Sequence, residues 1–160
     1  MSEIFTDSEY YTGPELTDEL VSAVEQQLQV RLPGSYVELL SERNGGSVRK
    51  RCIEVSFPNS WTPDHIEIEG IFGLGGRRGI DSLSDVMIKE WEYPRIGVVL
   101  CDMPSGGHDA VMLDYSVCGS EGEPTVAYID EDRVPRQIAK SFADFLDKLT
   151  SCERFRTDDT

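Results

Sequence analysis

Two nearly continuous apolar runs, Ile96 to Cys101 and Ala110 to Tyr115, flank a short polar segment, Asp102 to Asp109. Strands with one wet face alternate apolar and polar residues, whereas strands covered on both faces read as unbroken apolar stretches. The two runs therefore predict central strands, buried on both sides and joined by a loop. Pro104, Ser105, Gly106 and Gly107 supply the turn chemistry of that loop. The rest of the chain must cover what these strands expose.

Helical patterns stand at both ends. Thr17 is a capping residue, Asp18 and Glu19 suit the positive end of a helix dipole, and Leu16 with Val21 fits a hydrophobic staple. Leu20, Val24 and Leu28, with Val21 beside them, make one apolar stripe, so this helix should end near Gln29. Leu32-Pro33 opens a second helix, with proline at the first helical position, where its missing donor costs nothing. Tyr36, Val37 and Leu40 form its expected buried face, with Leu39 flanking. Asn44-Gly45-Gly46 stops it. Near the other end, Ser141 with Asp144 resembles a capping box, and Phe142, Phe145, Leu146 and Leu149 make the buried stripe of a closing helix.

The middle of the chain reads as strands. Ile53, Val55 and Phe57 alternate with polar residues, as do Ile66 and Ile68 with His65, Glu67 and Glu69. Ile71 to Gly76 runs into a glycine turn, Asp81 to Trp91 reads as a short helix, and Thr125 to Ile129 is a further strand. The fold class is α+β: an N-terminal αα-hairpin, one central sheet, largely antiparallel or mixed, and a C-terminal helix packed on it. Residues 1–15 read as an irregular arm, 16–150 as a single domain, and 151–160 as a polar tail that frays. A chain of 160 residues buries roughly 70% of its unfolded surface, enough for a self-sufficient core.

Net charge is −15. Binding to phosphate backbones needs clustered Lys and Arg, so direct nucleic-acid binding is not expected. The Arg49-Lys50-Arg51 run alternates faces on a strand and has no stacking aromatic beside it. Acidity favours a basic partner, because complementary charge accelerates encounter. No apolar run approaches the ~18 residues of a membrane span, and the N-terminal residues lack the pattern of a signal peptide. The cysteines, Cys52, Cys101, Cys118 and Cys152, form no C-x-x-C pair. Cys52 and Cys101 fall in strands, where a thiol acts as a small hydrophobe, and a reducing cytoplasm is the expected compartment.

Three constellations invite chemistry. Cys101 could act as a nucleophile with His108 as its base and a carboxylate orienting the imidazole, which would make a small hydrolase. The competing reading makes Cys101 a buried strand residue and His108 and Asp109 fixtures of the loop. His65, Glu67 and Glu69 share one strand face and could bind a divalent ion with His108 or Asp109, but no H-x-x-x-H or H-E-x-x-H spacing occurs. The Gly73 to Gly79 segment follows a strand and precedes a helix, as phosphate-binding turns do, but it misses the G-x-G-x-x-G spacing by one residue and lacks a Walker lysine. No catalytic, cofactor or metal residue is assigned on these grounds.

The motifs assemble in order. Leu32-Pro33-Gly34-Ser35-Tyr36 followed by Asn44-Gly45-Gly46 resembles the opening signature of the Smi/Knr-type domain of the SUKH superfamily. Ile68 to Leu74 is similar to its I-x-G-I-F-G-L strand. Cys101 to Asp109 through Tyr115, and Gly122 to Val126, resemble a bacterial branch, and Ile138 to Leu146 resembles its closing helix. The resemblance spans about residues 16 to 150. It implies a non-enzymatic binding module, with no cofactor and no shared catalytic residues. Bacterial members are mostly associated with immunity to polymorphic or contact-dependent toxins, many of them nucleases, and fungal relatives regulate cell-wall synthesis through protein contacts. The expectation is thus a cytoplasmic immunity protein that blocks a basic toxin domain, with a regulatory scaffold lacking a toxin as the alternative. The expected contact surface is the strand face of His65, Glu67 and Glu69 together with Asp102, Ser105, His108 and Asp109 of the loop. Oligomeric state is not readable from the sequence.

Overall fold

The computed structural model describes residues 3–155. Helix α1 (Asp18–Leu28) begins where the Thr17 side chain accepts a hydrogen bond from the Leu20 N–H at 3.1 Å, and ends where Gln29 turns left-handed at φ 58°. Both ends lie where the capping signals place them. Helix α2 (Gly34–Glu42) starts one residue later than expected, with Pro33 as its cap. The Pro33 carbonyl takes the N–H groups of Tyr36 and Val37, each at 3.1 Å. Its buried residues are Tyr36, Leu39 and Leu40, whereas Val37 is half-buried, so the apolar stripe is rotated from the expected one. α1 lies against a third helix and α2 against a fourth, so the N-terminal pair is held by the rest of the fold more than by each other.

In chain order the remaining elements are β1 (Gly46–Ser47), β2 (Cys52–Glu54), β3 (His65–Glu67), β4 (Gly70–Ile71), α3 (Ile80–Trp91), β5 (Gly97–Val99), β6 (Cys101–Asp102), β7 (Ala110–Asp114), β8 (Thr125–Ile129), β9 (Pro135–Ala139), α4 (Phe142–Lys148) and β10 (Leu149–Thr150), followed by a 3-10 turn at Cys152–Phe155. The class is α+β and, among the described residues, every strand pairing is antiparallel. Three sheets stand where one was expected, ordered β1-β4-β6, β10-β2-β3 and β5-β7-β8-β9. The division falls inside the Ile96–Cys101 run, which leaves one sheet and enters another. Leu100, between them, donates to Val111 C=O at 2.9 Å and accepts from Phe72 N–H at 3.0 Å. Composition cannot show this, because both halves of the run are buried.

The four-stranded sheet runs through the core, and its β7 residues Ala110 to Leu113 are fully enclosed. α3 packs on β5, where the buried Ser84 hydroxyl accepts from Val99 N–H at 2.9 Å. α4 packs on β8 and β9. Phe142 meets Tyr36 edge to face at 5.1 Å, which joins the two ends of the chain. Ser141 accepts from Asp144 N–H, and the Asp144 carboxylate reaches back to Lys140 N–H, both at 3.1 Å, a capping box displaced by one residue.

Asn44 does more than stop α2. It is buried and bonds three backbone groups: its amide donates to Pro14 C=O at 2.7 Å and Leu74 C=O at 2.8 Å, and its oxygen accepts from Leu74 N–H at 2.8 Å. The N-terminal arm is thereby tied to the glycine segment. Phe5 bridges Val48, and both Phe5 and Tyr11 are buried.

At the other end, Ser151–Thr160 was expected to fray. Residues 152–155 are instead held, and residues 156–160 lie outside the described residues. β10 pairs with β2, setting Thr150 opposite Cys52, and Cys152 then forms a disulfide with Cys52 across 100 residues. This corrects the reading of Cys52 as a lone buried thiol: strand pairing, invisible in the spacing, brings the sulfurs together. Among the described residues no helix is long and apolar enough to cross a membrane.

Candidate functional site

The loop after β6 is fixed by its own side chains. The Ser105 hydroxyl donates to Asp109 Oδ1 at 2.6 Å and accepts from Asp109 N–H at 3.2 Å. Tyr128, on β8, donates to the other carboxylate oxygen at 2.7 Å. Asp109 is thus anchored between the loop and the central sheet, 6% exposed. Burial pushes its carboxyl group above the usual carboxylate range, against the pull of the Ser105 and Tyr128 hydrogen bonds. Gly107 sits at φ 131° against the Trp91 indole, where a Cβ would lie 2.4 Å from the ring.

A second loop, from Pro58 to Asp64, faces this one. The Asn59 side-chain oxygen accepts from Trp61 N–H at 2.9 Å and Thr62 N–H at 3.0 Å, an Asx turn that leaves the Trp61 ring half exposed. Ser60 donates its N–H and its hydroxyl to the Asp130 carboxylate at 3.0 and 2.8 Å, pinning this loop to the end of β8. The two loops and β3 enclose a cleft of about 190 Å³. Trp61, His65, Ile66 and Tyr128 line its apolar part, and Asp109, Ser105 and Glu67 add polar groups. Among the described residues no lysine or arginine lines it.

The structure brings together four of the seven expected contact residues: His65, Glu67, Ser105 and Asp109. The other three turn elsewhere, each held by its own partners. Glu69 faces Arg51, at 3.4 Å, and Arg51 also holds Glu67. The Asp102 carboxylate accepts from the Tyr11 hydroxyl at 2.6 Å, anchoring the N-terminal arm. His108 packs edge-on against Trp91 at 5.1 Å and lies 3.7 Å from Glu131, while its carbonyl accepts from Arg133 at 2.7 Å. Trp61 and Tyr128 are the aromatic cleft residues that sequence reasoning missed. An isolated tryptophan in an otherwise polar loop was the available signal.

The hydrolase pairing does not form. Cys101 is fully buried in β6, burial pushes its thiol well above the ordinary range, and the nearby Asp102 adds to the effect. A thiol in that state is a poor nucleophile, and His108 makes its contacts with Trp91 and Glu131 instead. The proposed metal set also separates. His65 Nδ1 bonds Asp64 at 2.8 Å while its ring stacks on Phe155 at 4.1 Å, and both glutamates engage Arg51. The cluster of possible metal ligands among the described residues is Cys52, Glu67 and Cys152, two of which are bonded to each other. The glycine turn is also filled from within, since Gly75 N–H donates to the Asp81 carboxylate at 2.8 Å, where a phosphate oxygen would sit.

What the cleft offers is a small recess with aromatic walls and a buried carboxylate. Small-molecule sites usually span about 300–1,000 Å³, so this recess suits one inserted side chain better than a cofactor. A family model described as SUKH_6, SMI1-KNR4 cell-wall, matches residues 18–146. No curated protein matches the chain.

Proposed function

Because the chain belongs to the SUKH_6, SMI1-KNR4 cell-wall family, we propose that it is a non-enzymatic, protein-binding immunity module that neutralises a basic toxin domain, with a nuclease as the favoured target. The observation that carries the binding reading is the cleft itself. Four of the residues expected to contact a partner converge there around an exposed tryptophan, and tryptophan is enriched among residues that dominate binding energy. Family membership supports the immunity role, and the net charge of −15 supports a basic partner whose own surface is built for nucleic acid. The contact surface we propose is centred on His65, Glu67, Ser105 and Asp109, with Glu69, Asp102 and His108 at its margins.

The module works in the cytoplasm under this reading, where it would meet an incoming toxin or protect the cell that makes one. Disulfides are rare in reducing cytoplasm, so the Cys52–Cys152 bridge makes thiol trapping in the producing cell a direct check of compartment. Cytoplasmic residence predicts that the pair is trapped as two alkylated thiols, and a fully oxidised pair contradicts it.

The gene neighbourhood and a growth assay test the function. Co-expression with the domain encoded immediately upstream should restore growth that the domain alone abolishes. A neighbour with no toxic product, or toxicity unchanged by co-expression, overturns the immunity reading and favours a regulatory scaffold.

A further inference from the structure

We infer that the cleft between β3, the Trp61 loop and the Asp109 loop receives an arginine side chain presented by the basic protein partner. The inference rests on the binding reading above and specifies its chemistry.

Size sets the first constraint. A recess of about 190 Å³ falls below the usual range of small-molecule sites, so it accepts one protruding side chain. Charge sets the second. Asp109 is buried at the inner side of the cleft with two hydroxyl donors and, among the described residues, no cationic partner. Each carboxylate oxygen accepts one described side-chain hydrogen bond, which leaves acceptor capacity for an incoming donor. Asp130 lies behind the Ser60 end of the same loop and adds negative potential. Glu67, at the rim, is offset by Arg51, so the buried Asp109 is the carboxylate left for a ligand.

The shape of the walls selects between the two cationic side chains. Trp61, half exposed, is the ring open to an incoming group, with His65, stacked on Phe155, and the buried Tyr128 completing the aromatic lining. A guanidinium is planar, weakly hydrated and stacks on aromatic faces while donating to a carboxylate, whereas an ammonium is a compact, strongly hydrated point charge. The mixed lining therefore fits arginine better than lysine. The surroundings are prepared before binding. The Asx turn at Asn59 fixes the Trp61 loop, Ser60 ties it to Asp130, and Ser105 with Tyr128 holds Asp109, so little ordering cost remains to be met on association.

The probe is a blocked peptide, acetyl-Gly-Arg-Gly-amide, titrated into isotopically labelled full-length protein and followed by amide and indole chemical shifts. The citrulline peptide, which has nearly the same shape and no charge, and the lysine peptide are the controls. We expect saturable shifts confined to the Trp61 indole and the amides of Thr62, Ile66, Ser105 and Asp109. Binding should be at least about tenfold weaker for citrulline and in Trp61→Ala, a difference of ~1.4 kcal/mol. Asp109→Asn should bring the arginine and citrulline peptides to equal affinity, and an unchanged folded spectrum of Trp61→Ala keeps that arm interpretable. Absence of shifts at these residues, equal binding of citrulline by the wild type, or preference for lysine overturns the inference. Tighter binding of free zwitterionic arginine than of the peptide would mark the site as one for a metabolite and also overturn it. The peptide involves no toxin, so the two readings fail separately. Peptide binding without growth protection removes the immunity role and leaves the cleft, and growth protection by a chain that ignores the peptide does the reverse.

Discussion

Replacing Asn44 should unfold the junction between the N-terminal arm and the glycine segment before it affects any surface. Its side chain makes three hydrogen bonds, at 2.7, 2.8 and 2.8 Å, all to backbone groups of Pro14 and Leu74. Asn44 is 4% exposed and Leu74 is fully buried, so water does not readily replace the lost partner. At about 1 kcal/mol for each net hydrogen bond, with a further share for stranding the Leu74 N–H and C=O, Asn44→Ala should cost roughly 3–4 kcal/mol. That is a large part of the ~5–15 kcal/mol by which domains are stable. Asn44→Asp should be worse than alanine. It keeps an acceptor for Leu74 N–H but sets a carboxylate oxygen against two carbonyls where the amide donated. Urea unfolding, followed by tryptophan fluorescence with the disulfide intact, reads the effect. With an m-value of about 2 kcal/mol per molar, the midpoint for alanine should fall by roughly 1.5–2 M. A loss below about 1 kcal/mol, or an aspartate variant at least as stable as alanine, would refute the reasoning that these three bonds carry the junction.

Three further outcomes follow from the same geometry. Cys152→Ser opens a bridge that closes 100 residues of chain, and loop entropy puts the loss at about 4–5 kcal/mol, checked by the difference in urea midpoint between oxidised wild type and variant. Asp109 has a carboxyl pKa raised in the fold, so its contribution is fully present below the ordinary value near 3.8 and is lost as pH rises through the folded value. The stability of Asp109→Asn relative to wild type should therefore increase from pH 3.8 towards neutrality, and a flat or opposite trend in paired unfolding curves would contradict the shift. Native protein should take up iodoacetamide at the exposed Cys118 while the buried Cys101 stays unmodified, so mass spectrometry of Cys118→Ala should show no labelling until denaturant is added.

Much of this fold could be read from local signals, and most of the failures share one cause. α1 and α4 were placed because caps and apolar stripes coincide over consecutive residues: Thr17 before Leu20 and Val24, Ser141 before Phe142 and Phe145. β7 and β8 were visible as apolar runs. β9 was missed because Pro135, Arg136 and Gln137 stand at its exposed start on a sheet edge, where proline is tolerated and polar residues face water. The partition into three sheets, the Cys52–Cys152 bridge and the departure of Asp102 towards Tyr11 all depend on pairings between distant residues, which no window of sequence contains. The candidate site divides the same way. His65 and Glu67 share a strand face, and Ser105 and Asp109 share a loop, so each half was legible by itself. Their meeting with Trp61 and Tyr128 in one cleft required the fold.

The proposed function has this acidic chain neutralise a basic protein by binding it. Its most direct test is the affinity for the domain encoded immediately upstream, measured by calorimetry across a series of salt concentrations. A stable one-to-one complex that weakens steeply as salt rises is expected, because complementary charge drives encounter and part of the affinity. Absence of binding, or an affinity indifferent to salt, would contradict it.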